Sequence, residues 1–397
     1  MFKRSIQNLV EKWLFRKYII LIYGARRVGK TTLCKQILEK NKDKKTGYFD
    51  CEMLAIRSSL ETTDAAELKR FIGDHDLIVL DEAQQVKDIG KTLKIIHDHI
   101  PEVQVIATGS SSFDLANKLS EPLTGRVISF ILYPFSIGEL ISNTNYITVK
   151  SGLENLLLYG AYPQIIDKSN VDAVKLLDML AGNYLYKDVL MHEGLKNSEN
   201  LLKLLQLLAL QVGSEVSFNE IGTKLAMNHS TVSKYIDLLE KCFVIFRLRA
   251  FSRNKRNEIS KSIKIYFYDL GIRNALIQSF APINLRNDTG ALWENFCIVE
   301  RKKLNQTNNR FVNQYFYRTY SQEEVDYIEE YDGKLDGYEF KYSKEKTKNP
   351  KQFLTSYENA SIKTITKDNW AEFLLDKAGT IKDDDEGDSP ETTEEKK

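Results

Sequence analysis

The chain reads as an α/β protein made of more than one unit, and three features of its pattern say so. Apolar, β-branched runs of strand length alternate with helix-length stretches through the first third. A long middle stretch repeats apolar residues at three- and four-residue spacings with no strand-type alternation, and strand-like runs return behind it, chiefly in the last hundred residues. The length of 397 residues agrees, because one hydrophobic core usually serves roughly 100–200 residues. At 42% hydrophobic, 28% charged and 11% aromatic, the composition suits large buried cores and excludes long disorder for the bulk of the chain.

The first strand, Tyr18-Ile-Ile-Leu-Ile-Tyr23, is apolar throughout, as a strand buried on both faces must be. It runs into Gly24-Ala25-Arg26-Arg27-Val28-Gly29-Lys30-Thr31-Thr32, the pattern G-x-x-x-x-G-K-[ST]. Glycines let successive backbone N–H groups turn inward around phosphates, the lysine reaches the β- and γ-phosphates, and the hydroxyl of Thr31 meets Mg²⁺. The stretch from Thr31 to Glu39 supplies the helix whose N-terminus faces the anion. A second strand, Leu77-Ile-Val-Leu80, ends in Asp81-Glu82, where the first acid would hold Mg²⁺ and the second would polarise the attacking water. A third, Gln104-Val-Ile-Ala-Thr108, ends in Gly109-Ser110-Ser111-Ser112, which makes Ser110 a candidate for sensing the γ-phosphate. Thr46–Asp50 and Val127–Leu132 complete a parallel, helix-covered sheet. Arg126, just before the last strand, either stabilises charge on a transferring phosphoryl group, in cis or across a subunit boundary, or pairs with a surface carboxylate.

Gly-Ala-Arg-Arg-Val-Gly-Lys-Thr-Thr, Leu-Asp-Glu-Ala-Gln, Ala-Thr-Gly-Ser-Ser and Leu-Thr-Gly-Arg followed by Leu-Tyr-Pro-Phe-Ser together resemble the AAA+ ATPases of the archaeal and bacterial "AAA family ATPase" group. That group is similar to the archaeal ATPases related to signal-transducing NTPases. The resemblance implies a P-loop NTPase core with ATP and Mg²⁺ at Lys30, Thr31, Asp81 and Glu82, a small helical domain behind it, and a C-terminal domain of unknown function. Arg27 departs from the pattern, standing where glutamine is more usual.

From Ile137 to Leu195 the spacing predicts a helical lid, interrupted by a turn at Gly160-Ala-Tyr-Pro163. Leu201–Leu210 predicts one further helix, Ser217-Phe-Asn-Glu220 a capping box opening a second, and Asn228 a cap for a third, Val232–Cys242, before an apolar strand from Val244 to Leu248. This order fits a winged helix-turn-helix. If it binds DNA, His229, Ser230, Thr231, Ser233 and Lys234 face bases, and Arg247, Arg249, Arg253, Lys255 and Arg256 lie on phosphates along a wing. If it is an interdomain scaffold, they do neither.

In the last hundred residues an amphipathic helix begins at Gly290, and Glu324–Ile328 and Tyr338–Tyr342 read as strands. Glu339 and Lys341, two apart on a strand, share a face that Asp326 on a neighbouring strand would join. Two acids around Mg²⁺ with a lysine beside them can bind a scissile phosphate and orient water. The set resembles the PD-(D/E)XK nuclease core, which implies Glu294 as its helical acid, Asp326 as its strand acid and Glu339-Phe-Lys341 as its E-x-K element. Valine at 325 stands where that family usually has proline. A fold kept for binding, with the site idle, is the alternative.

Charge totals +1, but the acidic stretch 381–397 carries −5, which leaves +6 on residues 1–380, a mild basic excess compatible with a nucleic-acid partner. Cys34, Cys51, Cys242 and Cys297 lie far apart, which excludes a zinc knuckle or disulfide framework and points to a reducing compartment. No apolar run approaches the ~20 residues of a membrane-spanning helix, so the expectation is a soluble, cytoplasmic protein. The divisions that follow are an ATPase core (1–135), helical lid (136–195), winged helix-turn-helix (196–258), restriction-endonuclease-like domain (259–380) and acidic disordered tail (381–397). The functional expectation is an ATPase acting on or near double-stranded DNA; the alternative is a nucleotide-switched scaffold whose C-terminal units hold protein partners. A homo-oligomer stays open, because an arginine supplied in trans would require neighbours.

Overall fold

The computed structural model describes residues 2–110, 123–184, 198–252, 262–319, 321, 323–343 and 350–375. After helix α1 (Ser5–Glu11) the chain alternates β1 (Ile19–Tyr23), α2 (Lys30–Lys40), β2 (Thr46–Asp50), α3 (Leu54–Leu60), α4 (Ala65–Ile72), β3 (Leu77–Asp81), α5 (Ile89–His99), β4 (Gln104–Gly109) and β5 (Val127–Ile131). The five strands form one sheet in the order β2-β3-β4-β1-β5, and every pair is parallel. β1, β3 and β4 are buried along their whole length, which is why their sequences are apolar runs without alternation. Tyr23 lies in register with Gly109 and Leu80 with Ala107. The exits of β1, β3 and β4 therefore share one edge of the sheet, where ligands of open parallel sheets collect.

The expected helical stretch follows as α6 (Ile137–Asn143), α7 (Tyr146–Ser151), α8 (Leu153–Tyr159) and α9 (Asn170–Met179), the last running into a π turn at Leu180–Tyr184. Gly160 ends α8 at φ 72° and lies against the carboxylate of Asp269, leaving no room for a side chain. Next come α10 (Ser198–Leu210), β6 (Glu215–Val216), α11 (Phe218–Leu225), α12 (His229–Lys241), β7 (Ile245–Ala250), β8 (Ile263–Phe267) and α13 (Leu270–Leu276). Ser217 accepts from the Glu220 N–H at 3.3 Å and Asn228 from the Thr231 N–H at 2.7 Å, the two caps that the sequence predicts. The last elements are α14 (Thr289–Thr307), β9 (Asn313–Arg318), β10 (Glu324–Tyr331), β11 (Lys334–Phe340), α15 (Lys351–Ser356), β12 (Ala360–Ile365) and α16 (Trp370–Leu374).

The later strands make a single mixed sheet, β12-β11-β10-β9-β7-β8-β6. Strands on both sides of residue 258 belong to it, because β7 pairs parallel with β9 at Arg249–Tyr315 and Ala250–Phe316. α14 lies across this sheet: Asn295 bonds the backbone of Phe267 on β8 at 2.8 and 2.9 Å, and Trp293 Nε1 donates to the Ile365 carbonyl on β12 at 3.1 Å. Arg301 makes a two-pronged bond to the fully buried Glu329 at 3.0 and 2.8 Å. One buried apolar cluster runs from Ile6 to Leu374 and includes residues beneath both sheets. The four cysteines are buried and free, and among the described residues no helix is long and apolar enough to cross a membrane. Arg253, Lys255, Arg256 and the acidic stretch 381–397 lie outside the described residues.

Candidate active site

The loop between β1 and α2 is shaped by its glycines. A Cβ built on Gly24 would sit 2.2 Å from the Leu132 carbonyl oxygen, so only glycine lets the loop leave the sheet here. Gly29 adopts φ 99° at the N-cap of α2 and Arg27 adopts φ 62°, its side chain reaching Gln164 at 3.1 Å. Ala25, Arg26 and Val28 complete the loop, and Lys30, Thr31 and Thr32 open an eleven-residue helix whose first N–H groups have no intrahelical acceptors.

Lys30 is buried, its Nζ donating to the carbonyls of Gly24 at 3.0 Å and Ala25 at 3.1 Å, with Glu82 at 3.8 Å. Those carbonyls hold the ammonium over the loop in which phosphates would sit. The Thr31 hydroxyl donates to Asp81 Oδ2 at 2.6 Å. This joins the first and second motifs directly and places a hydroxyl beside a carboxylate, the hard oxygen donors that Mg²⁺ takes.

Two partners of Asp81 were not singled out by the sequence reading. Tyr48 on β2 donates its hydroxyl to Asp81 Oδ2 at 2.5 Å, and Thr108 on β4 donates to Oδ1 at 2.5 Å. Burial, then the bond to Asp81 and that carboxylate's charge, push the Tyr48 phenol well above its ordinary value. Tyr48 becomes legible only once β2 is known to lie next to β3, an order that spacing does not reveal. Glu82 leaves β3 in the left-handed region at φ 50°, with its N–H on Thr108 Oγ1 at 3.0 Å. Gln84, in the Leu-Asp-Glu-Ala-Gln run, donates to both the Glu82 carboxylate and Ser110 Oγ, the latter at 3.2 Å. Glu82 and Ser110 are thus linked through one buried amide.

Arg126 is elsewhere. Its carbonyl accepts from the Ile19 N–H at 2.9 Å, at the entry of β1, while the phosphate loop follows the exit of that strand. Five residues of strand separate the two by on the order of 16 Å. Its guanidinium instead pairs with Asp98 at 2.9 and 3.2 Å and, with His97, holds that exposed carboxyl down to about 2. Of the roles open to Arg126, the surface pair is the one formed, and the role in cis is corrected, because a parallel sheet puts strand entries and exits on opposite edges.

The C-terminal residues do assemble. Glu294 on α14, Asp326 on β10, Glu339 on β11 and Lys341 just beyond β11 influence one another, and Lys341 Nζ lies 3.8 Å from Glu339 Oε2. Burial pushes Glu339 up to about 8, with Asp326 adding to the rise, and pushes Glu294 up to about 7. Asp326 is raised as well, chiefly by burial, although Lys264 and the Phe340 N–H at 2.8 Å oppose it. Glu339 Oε1 is buried and makes no hydrogen bond among the described residues. The hairpin strand β8 adds two groups that the sequence did not suggest. Lys264, 2% exposed, bonds Glu294 at 3.3 Å and Glu324 at 2.7 Å, and Tyr266 donates to Glu294 at 2.5 Å. Burial works against the charge of Lys264, yet Glu294, Glu324 and Asp326 outweigh it and raise its pKa. Among the described residues no three His, Cys, Asp or Glu side chains are placed to hold a metal ion. Glu294 in particular turns to Lys264 and Tyr266.

In the three-helix unit, His229 opens α12 and packs against Phe218 at 5.5 Å, Ser230 bonds the capping Asn228 at 2.8 Å, and Thr231 supplies the capped N–H. Ser233 and Lys234 follow in the same first turns. Arg249 is exposed on β7. The guanidinium of Arg247 is tied to Asp237 at 2.7 Å and to one oxygen of Glu240 at 2.7 Å, while the other Glu240 oxygen accepts from the Arg247 N–H at 3.0 Å, because β7 folds back along α12.

Residues 16–141 match the family model described as an AAA domain. The first third of the chain is thus similar to AAA domains. Beyond this domain, residues 150–283 and 289–375 match two domains of unknown function, DUF8612 and DUF4143. An uncharacterized protein of Mycobacterium tuberculosis is 26% identical over 344 residues, covering 85% of this chain and 74% of its own. An uncharacterized ATP-binding protein of Methanocaldococcus jannaschii is 44% identical over 48 residues, 12% of this chain and 81% of its own. Among solved structures, a Walker-type ATPase of Pyrococcus abyssi aligns at TM-score 0.47 with 17% identity, over 70% of this chain and 96% of its own.

Proposed function

We propose that this protein binds ATP with Mg²⁺ and hydrolyses it at the edge of the five-stranded sheet. The observation that carries this is the junction of the two motifs, with Thr31 on Asp81 at 2.6 Å and Lys30 held across the loop carbonyls. Thr31 and Asp81 are the residues that would hold Mg²⁺, which when bound neutralises developing phosphate charge. The loop N–H groups and the α2 N-terminus bind phosphates, Lys30 reaches across them, and Glu82 orients water with Gln84 holding its carboxylate and Ser110 alongside. Lys30→Ala should abolish nucleotide binding, and Glu82→Gln should bind ATP with turnover lost. Measured turnover unchanged in Glu82→Gln would remove the water-orienting role.

A second reading adds the C-terminal carboxylates, favoured by the unbonded, buried Glu339 Oε1 beside Asp326 and Lys341. In this reading the domain resembling PD-(D/E)XK nucleases, together with the winged helix-turn-helix, acts on double-stranded DNA. Asp326 and Glu339 would hold Mg²⁺ and Lys341 would bind the scissile phosphate. Incubating DNA with Mg²⁺ or Mn²⁺ should give cutting that Asp326→Ala and Lys341→Ala abolish. Intact DNA, together with negligible salt-dependent DNA affinity, would favour a nucleotide-switched scaffold with protein partners.

A further inference from the structure

Arg4 lies outside the AAA match and outside every motif read from the sequence. It immediately precedes α1, is 7% exposed, and sends its three donors to three parts of the fold. Nη1 donates to the Val28 carbonyl within the phosphate loop at 2.8 Å, Nη2 to the Tyr133 carbonyl at 2.5 Å, and Nε to Glu139 Oε1 at 3.0 Å. The guanidinium also covers the Phe135 ring at 4.6 Å. Glu139 is itself fixed by the Ser5 N–H at 2.7 Å and by the capping box that opens α6 with Ser136.

The segment that Arg4 grips is held from its other side by α14. Gln306 donates to the Ile131 carbonyl at 2.6 Å, Lys303 to the Phe135 carbonyl at 2.9 Å, and Glu300 accepts from the Ile137 N–H at 2.7 Å. The phosphate loop is therefore tied through Arg4 to a segment clamped by the C-terminal unit.

We propose that Arg4 is a positioning residue of the nucleotide site, bracing the phosphate loop from behind; the inference rests on the ATP reading of that loop. Val28 C=O and Gly29 N–H belong to one planar trans peptide and point in opposite directions. A guanidinium holding the Val28 carbonyl on the outer side of the loop turns the Gly29 N–H toward the inner side, where the loop's N–H groups converge on phosphate. Lysine at position 4 keeps the charge but cannot reproduce a planar fork with three separate directions.

The test compares full-length wild type, Arg4→Lys and Arg4→Ala by steady-state ATP hydrolysis, by binding of a fluorescent ATP analogue, and by melting without nucleotide. Arg4→Lys should stay folded at the assay temperature yet raise KM for ATP and the analogue's Kd by about ten-fold, the weight of one charge-assisted hydrogen bond. The change in kcat should be smaller. Wild-type KM and Kd in Arg4→Lys, with Glu82→Gln still inactive, would overturn the brace and leave the ATP reading standing. The same is true if both variants lower only the melting temperature. A wild-type protein that does not bind ATP removes the ATP reading and the brace together.

Discussion

Glu339 and Glu294 are carboxyls that the fold holds partly protonated near neutral pH, since burial raises them to about 8 and about 7 from an ordinary 4.5. With folded values above unfolded ones, the native state binds more protons than the unfolded chain across that interval. Their stabilising contribution is therefore complete below the unfolded value and is lost as pH rises through the folded ones. Melting temperature should fall between about pH 5 and pH 8, and Glu339→Gln, which cannot ionise, should flatten that fall. A slope identical to wild type would show that Glu339 titrates normally. The opposite shift at Asp98, held down to about 2 by Arg126 and His97, acts only in strong acid and does not mask this. At this scale the sequence was informative about Lys30, Thr31, Asp81 and Glu82, because backbone spacing alone delivers them to one loop and one strand exit. It was silent on Tyr48, Thr108, Lys264 and Arg4, whose roles come from neighbours distant in sequence.

Among elements, the strands of the first sheet and the caps at Ser217 and Asn228 were legible because each is a local matter of apolar runs and side-chain to backbone bonds. Two placements were not. Arg126 was expected within reach of the sheet edge that carries the loop but sits at the entry of β5, and direction along a parallel strand decides which edge it reaches. Arg247 reads as one of a row of basic residues, yet β7 folds back on α12 and brings it to Asp237 and Glu240. β7, expected as part of a winged unit ending at residue 258, pairs with β8, which carries Lys264 and Tyr266 into the carboxylate cluster.

For the molecule as a whole, the decisive feature is that the buried apolar cluster reaches under both sheets and that α14 touches elements of each half. Units that share a core unfold together, because neither can expose its side of the interface without losing the burial of the other. Calorimetry of the full chain should therefore show one main transition, and Lys303→Met, which removes the bond from α14 to the Phe135 carbonyl, should lower it without splitting it. Two well-separated transitions in the wild type would mean that the halves are stable independently.

The sequence by itself determined the parallel nucleotide-type core, the loop and acids at its edge, and the order of helical and strand-rich stretches behind it. These depend on periodicity and on motifs whose parts are close in the chain. Only the tertiary structure decided that Arg4 lies behind the phosphate loop, that Arg126 lies away from it, and that β8 completes the carboxylate cluster. Each of those depends on which side chains meet across the fold, and burial and charge pairing, not spacing, settle that choice.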